Sequence, residues 1–297
     1  MAKFEGIIPP VITVFDSEEN VDIEKTLEFI DHLIEEGVHG IFVAGSTGEY
    51  TLMDNSERKE LIKEAVNVTK DRLPLLAGTA ANDTKTAIEL SQFAESVGAA
   101  AATVALPHYP KPSQAGLYEH YKQIADNISI PLLAYNWPGQ HAGLNIEPET
   151  VKRLVEEDII AGIKDSSDLQ WGIGHLAEVK RLTGDKISVL TGFANQLLPA
   201  LSLGACGSVC TIGNIIPRKI VSIYENFQKG NYKKAKKIQL EILPIINMLE
   251  VDPGTVKMAL KLLGHEVGSF RSPIIEPSDE AKQEIKGILQ SQGLLEQ

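Results

Sequence analysis

The chain has 297 residues, 43% hydrophobic and 23% charged, with 28 Lys and Arg against 40 Asp and Glu for a formal net charge of -12. That length suits one large domain, or one with a small appendage, and buries enough apolar surface to need no disulfide staples. So acidic a surface repels phosphate backbones and anionic lipid, which sets nucleic-acid and membrane-surface binding aside.

The first residues, Met1 to Glu5, carry no hydrophobic signal region, and no apolar run approaches a membrane span, so a cytoplasmic chain is expected. The run Ile7 to Phe15 reads as a strand interrupted by Pro9-Pro10. Asp22 to Glu36 reads as a helix, with Ile23, Leu27, Ile30, Leu33 and Ile34 at helical spacing and Gly37 as its stop. Gly40 to Ala44 is a strand and Ser56 to Lys70 a helix. Leu75 to Gly78 and Asp83 to Val97 repeat the pair, with Gly98 as the stop. Four further pairs follow: Ala100–Leu106 with Ser113–Asn127, Pro131–Asn136 with Pro148–Glu157, Ile159–Asp165 with Leu169–Leu182, and Ile187–Gly192 with Asn195–Leu203. Cys206 to Thr211 and Pro217 to Lys229 complete the series.

About eight strand–helix units in roughly 230 residues match a parallel (β/α)8 barrel of the TIM type. A doubly wound open sheet fits less well, because no G-x-G-x-x-G follows the first strand. Residues 1–230 are therefore expected to form the catalytic barrel. Residues 231–297 are expected to form a C-terminal helical region, with helices at Asn231–Leu249, Thr255–Leu263 and Ser278–Leu295. The basic run Lys233 to Lys237 reads as a solvated face. Cys206 and Cys210, four apart, fit neither a disulfide framework nor a CxxC pair, and read as reduced, buried thiols.

In such a barrel the chemistry sits at the C-terminal ends of the strands. Three such ends stand out. Ala44 to Glu49 sets two glycines around Ser46 and Thr47, a loop able to cradle a carboxylate; an ordinary turn fits the same residues. Tyr135 leaves the fifth strand, where a phenol can move a proton, although a core tyrosine is the alternative. Lys164 ends the apolar run Ile159 to Ile163. Burial lowers a lysine's pKa and frees an amine to attack a carbonyl; escape to solvent or pairing with Asp165 is the competing reading. No metal-ligand spacing, nucleotide loop or G-x-S-x-G elbow is present, so neither metal nor cofactor is expected.

These segments occur together in one family. The chain resembles the dihydrodipicolinate synthase/N-acetylneuraminate lyase family of pyruvate-dependent class I aldolases along essentially its whole length. The resemblance rests on Gly45-Ser46-Thr47-Gly48-Glu49, Tyr135-Asn136-Trp137-Pro138, Gly162-Ile163-Lys164, Gly207-Ser208-Val209, Pro107-His108-Tyr109 and Ser113 to Tyr118. It implies that Lys164 forms an imine with pyruvate or another 2-oxo acid. Ser46, Thr47 and backbone such as Gly48 would hold the carboxylate, with Val209 orienting the substrate. Tyr135 would be the acid/base. Thr47, Tyr109 and Tyr135 would form a proton relay, with Tyr109 reaching in from a neighbouring subunit of a homotetramer built as a dimer of dimers.

Two departures bear on the aldehyde. Where the synthases usually carry an arginine for the carboxylate of aspartate semialdehyde, this chain has Gln140. Where sialic acid lyases usually carry an Asp-Glu pair, it has Thr191-Gly192-Phe193-Ala194-Asn195. Gln140 suits hydroxyls better than a carboxylate. Asn195, His108 and His141 are further hydroxyl partners, and Lys111 or Arg271 are candidate replacement cations. The favoured expectation is an aldolase for 2-keto-3-deoxy sugar acids. Its alternatives are 4-hydroxy-tetrahydrodipicolinate (dihydrodipicolinate) synthase and a non-catalytic 2-oxo-acid-binding regulator.

Overall fold

Strands separated by amphipathic helices can pair only in parallel, and eight of them curl into a ring. The computed structural model describes residues 4–167, 172–250 and 252–296. Its strands are β1 (Gly6–Ile7), β2 (Ile41–Val43), β3 (Leu75–Gly78), β4 (Ala101–Ala105), β5 (Leu132–Asn136), β6 (Gly162–Asp165), β7 (Ser188–Thr191) and β8 (Gly207–Ser208). They form one parallel eight-stranded sheet in the order β1-β8-β7-β6-β5-β4-β3-β2.

A single bridge, Pro10 to Phe42, closes the ring between β1 and β2. The Phe42 amide donates to the Pro9 carbonyl (3.1 Å) and the Val11 amide to the Phe42 carbonyl (2.8 Å). Proline has no N–H to extend this ladder. That is why the expected strand Ile7 to Phe15 shrinks to two residues and a bridge.

The barrel helices are α1 (Ile23–Glu35), α2 (Asn55–Thr69), α3 (Thr84–Val97), α4 (Gln114–Ala125), α5 (Pro148–Glu156), α6 (Gly172–Thr183), α7 (Leu197–Ser202) and α8 (Pro217–Gln228). The side chains of Asp22, Asp54, Asp83 and Ser113 cap α1 to α4 by accepting free first-turn amides. Gly37 and Gly98, with φ of 83° and 91°, end α1 and α3 in the left-handed region that glycine enters without strain. The expected start of α6 at Leu169 lies outside the described residues. The expected helix from Asn195 begins instead as a 3₁₀ turn, Ala194–Gln196.

The described residues after Gly230 form four helices where three were expected: α9 (Tyr232–Glu241), α10 (Leu243–Leu249), α11 (Pro253–Leu262) and α12 (Asp279–Ser291). Pro244 divides the expected helix Asn231–Leu249, because it offers no N–H to the carbonyl four residues earlier.

Three apolar clusters hold the fold; one packs Val104, Tyr121, Leu154, Ile163 and Leu176 between strands and helices, and the other two bear on the site and the C-terminal helices. Phe4, Ile8, Phe42, Leu76, Leu133, Leu190 and Val209 cluster among the strands and floor the site. A larger cluster joins Leu33 of α1, Leu61 of α2 and Ile220 of α8 to Ile245 of α10, Leu260 of α11 and Ile285 of α12. Each such side chain contributes about 1.5–3 kcal/mol when buried, so the C-terminal helices are bound to the barrel by its own core.

Candidate active site

Register places the chemistry. On β5 and β6, Leu133 lies opposite Gly162 and, two residues further, Tyr135 lies opposite Lys164. Side chains two apart share a face of a strand. Leu133 belongs to the cluster beneath the site, so Tyr135 and Lys164 form the next layer up, towards the C-terminal ends.

Lys164 is 4% exposed, and its amine lies 4.0 Å from the centre of the Tyr135 ring and 5.8 Å from that of Phe42. Burial drives its pKa down to about 7, with Cys210 and Glu250 opposing the fall. The competing sequence readings, solvent escape and pairing with Asp165, are both displaced. A glycine makes room for the lysine: a methyl group on Gly192 would stand 3.1 Å from Cε of Lys164 and overlap the Ser166 hydroxyl. Burial raises the Tyr135 phenol above its ordinary range, against a hydrogen bond to Ser46. It therefore stays protonated and available as a donor.

The loop after β2 arches over this pair with Ala44 and Glu49 at φ of 52° and 57°, a left-handed conformation uncommon outside glycine. The Thr13 hydroxyl donates to the Gly48 carbonyl (2.7 Å) and anchors the loop to the segment after β1. The Ser46 hydroxyl lies 3.4 Å from that of Tyr135, and the Thr47 hydroxyl 2.7 Å from that of Thr211. The loop ends at Glu49, whose carboxylate meets the ammonium of Lys257 from α11 at 2.6 Å, with both side chains fully buried. Burial presses Glu49 up and Lys257 down towards neutrality, and each partner's charge holds the other's.

The other faces of β5 and β6 carry a scaffold. Asn136, opposite Asp165, bonds through Nδ2 to Asn145, Asp165 and Ser167. His175 of α6 lies 2.7 Å from Asp165 through Nδ1 and 2.7 Å from the Ile146 carbonyl through Nε2. The Ile146 carbonyl can only accept, so Nε2 donates to it, and the carboxyl group opposite Nδ1 favours a positive charge on the ring. Burial opposes that charge, but Asp165 outweighs it and raises the His175 pKa.

On the Trp137 side of Tyr135 lies a cavity of about 560 Å³, lined by Trp137, Gln140, Phe193, Asn195, Asn247 and Glu250 among others. Glu250, at the end of α10, accepts the Ala194 amide hydrogen at 2.5 Å. Burial pushes its carboxyl up to about 8, against the Ala194 and Asn195 amides and Lys164.

The structure thus gathers Lys164, Tyr135 and Ser46, with Thr47 paired to Thr211 beside them. Val209 is buried against the barrel interior, and its amide donates to the Thr191 carbonyl (2.8 Å). Gln140 lines the outer cavity with Asn195. The expected Thr47–Tyr109–Tyr135 relay is not assembled within one chain: Tyr109 is 81% exposed, and Thr47 and Tyr135 have other partners. His108 stacks on His141, and His141 packs edge-on against Tyr135; burial pushes the His141 pKa down to about 3, so its ring is neutral. Arg271 is held by Glu57 and carbonyl oxygens over the Phe15 ring, and Lys111 is exposed, so neither supplies a cation to the cavity. Glu250, Thr211, His175 and Lys257 carried no signal in the sequence. Each acts through a partner far along the chain or on another element.

Comparison with known proteins identifies the family. Residues 3–292 match the model of the dihydrodipicolinate synthetase family. The 4-hydroxy-tetrahydrodipicolinate synthase of Acetivibrio thermocellus is 40% identical over 98% of both chains. That of Methanocaldococcus jannaschii is 37% identical over 98% of this chain and 100% of its own. Among solved structures, YagE of E. coli K12, a prophage protein of the dihydrodipicolinic acid synthase family in complex with pyruvate, superposes with a TM-score of 0.94. It is 32% identical over 99% of this chain and 100% of its own. The chain belongs to the dihydrodipicolinate synthetase family and is an aldolase-type carbon–carbon lyase. The expectation of a non-catalytic regulator is set aside.

Proposed function

We propose that the chain joins pyruvate to an aldehyde through an imine on Lys164. The buried amine of Lys164, held near neutrality beside Tyr135, carries this reading. Its lone pair attacks the ketone carbon of pyruvate, the resulting hydroxyl takes a proton from solvent and leaves as water, and a cationic imine forms. That cation withdraws electrons, so the methyl carbon loses a proton and becomes an enamine nucleophile. The enamine carbon attacks the aldehyde carbon, and Tyr135 gives a proton to the new alkoxide. Water then releases the 4-hydroxy-2-oxo acid and restores the amine. Ser46, Thr47 and the Gly48 backbone hold the pyruvate carboxylate, and Val209 orients it. Tyr109 enters from a neighbouring subunit of a tetramer and completes the relay.

For the aldehyde, the names of the relatives favour aspartate semialdehyde, the reaction of 4-hydroxy-tetrahydrodipicolinate synthase. A second reading, a hydroxylated aldehyde yielding a 2-keto-3-deoxy sugar acid, is favoured by Gln140 and by the absence of any cation among the described residues lining the outer cavity. Borohydride with pyruvate should add one pyruvate-sized mass to Lys164, and a label on another lysine would overturn the mechanism. Values of kcat/KM for pyruvate with aspartate semialdehyde and with glyceraldehyde, in one buffer, decide the aldehyde. A preference above about tenfold, or 1.4 kcal/mol, is decisive in either direction.

A further inference from the structure

Among the ionisable groups near Lys164, Glu250 stands out because it borders the outer cavity. Glu250 comes from α10, outside the barrel, and is buried at the wall of the outer cavity. We propose that Glu250 is a specificity-determining residue for the second substrate: its carboxyl group holds hydroxyls of the aldehyde chain and disfavours aldehydes that bring a carboxylate into the cavity. This rests on the Schiff-base reading of Lys164, but not on which aldehyde the wild-type protein prefers.

The cavity's position supports this. The Ser46 hydroxyl touches the Tyr135 phenol, and the Trp137 ring lies 6.3 Å from the Tyr135 ring. Tyr135 therefore separates the loop that takes the pyruvate carboxylate from the cavity lined by Trp137. The aldehyde, which reacts at the carbon served by Tyr135, extends its tail into that cavity. There Gln140, Asn195, Gln196 and Asn247 offer neutral amides, each both donor and acceptor. Trp137 and Phe193 meet edge-to-face at 5.8 Å and present apolar surface to C–H groups. Amides, one carboxyl and aromatic faces match a polyhydroxylated chain.

A carboxylate tail would meet no counter-ion among the described lining residues and would lie beside a carboxyl group that ionises as the pH rises, so like-charge repulsion disfavours it. Glu250 also anchors the turn after β7 through the Ala194 amide, and a purely structural role would consist of that anchor alone.

The test separates the two roles. Glu250→Gln keeps the size and the acceptor for Ala194 but removes the group that ionises, so the two substrates are compared above about pH 8. We expect the ratio of kcat/KM for aspartate semialdehyde over glyceraldehyde to rise at least about tenfold. The amount of borohydride-trapped pyruvate on Lys164 should stay unchanged. Asn247→Lys, on an exposed cavity residue one helical turn before Glu250, brings a cation to the same wall and should move the ratio the same way, which keeps the idea testable if Glu250→Gln does not fold. Parallel loss with both aldehydes in Glu250→Gln, or no change of ratio in either variant, overturns the inference. Absence of trapping in the wild-type protein would instead overturn the imine reading beneath it.

Discussion

Tyr135 and Lys164 are register partners on adjacent parallel strands, and the amine of one lies 4.0 Å from the ring centre of the other. Nucleophile and proton carrier are therefore fixed by backbone hydrogen bonds rather than by loops. Tyr135→Phe keeps the ring that packs on the lysine and removes only the hydroxyl. It should retain pyruvate trapping and lose about 100- to 10,000-fold in turnover. Equal loss of trapping and turnover would make the tyrosine a packing element.

The Lys164 pKa of about 7 gives a pH signature. Only the neutral amine attacks pyruvate, so acid suppresses the reaction. Trapping rates should fall about tenfold per pH unit below 7 and level off above it. A rate still climbing between pH 8 and 10 would mean an ordinary, solvated lysine. Lys164→Arg should abolish trapping, since a guanidinium stays protonated.

Gln140 lines the outer cavity, where a bidentate cation would suit a carboxylate. Gln140→Arg should shift kcat/KM towards aspartate semialdehyde relative to glyceraldehyde. An unmoved ratio would show that position 140 does not face the second substrate.

Glu49 and Lys257 tie the carboxylate loop to α11 through a fully buried ion pair. Lys257→Met leaves a buried carboxylate alone and should destabilise the fold by about 3–5 kcal/mol. The double variant Glu49→Gln, Lys257→Met should recover much of that loss in denaturant unfolding. Additive losses would show that the two charges do not depend on each other.

Tyr109, 81% exposed in one chain, completes a site only if a neighbouring subunit receives it. Sedimentation at micromolar concentration should show a four-chain particle, and Tyr109→Phe should lower turnover without altering pyruvate trapping. A single-chain particle of full activity would remove the tyrosine from the relay.

Much of this was legible in the sequence because periodicity and strand ends are local signals. Lys164 announces itself as a charge closing an apolar run, and Tyr135 as a phenol leaving a strand. Helix starts at Asp22 and Asp83 follow from side-chain chemistry within a single turn, whereas the start expected at Ser56 lies at Asn55, behind the Asp54 cap. What escaped was whatever depends on two distant segments meeting. Asp165 was weighed as a partner for Lys164, yet strand alternation turns it to the opposite face, where His175 waits. Glu250 reads as one acid among many in an appended helix, and only the docking of α10 against the turn after β7 gives it a place. Helical spacing runs on through Pro244, so the sequence reads as one helix where the proline divides two.

The lone Pro10–Phe42 bridge also bears on how safely the barrel folds. A ring has no free edge once closed, but while it assembles, its last seam is an exposed strand edge able to recruit another chain. Here that edge carries Pro9 and Pro10, two successive residues without an amide hydrogen, so an intruding strand finds a gap in its ladder. The same prolines that shorten β1 thus disfavour intermolecular sheet growth wherever that seam is open.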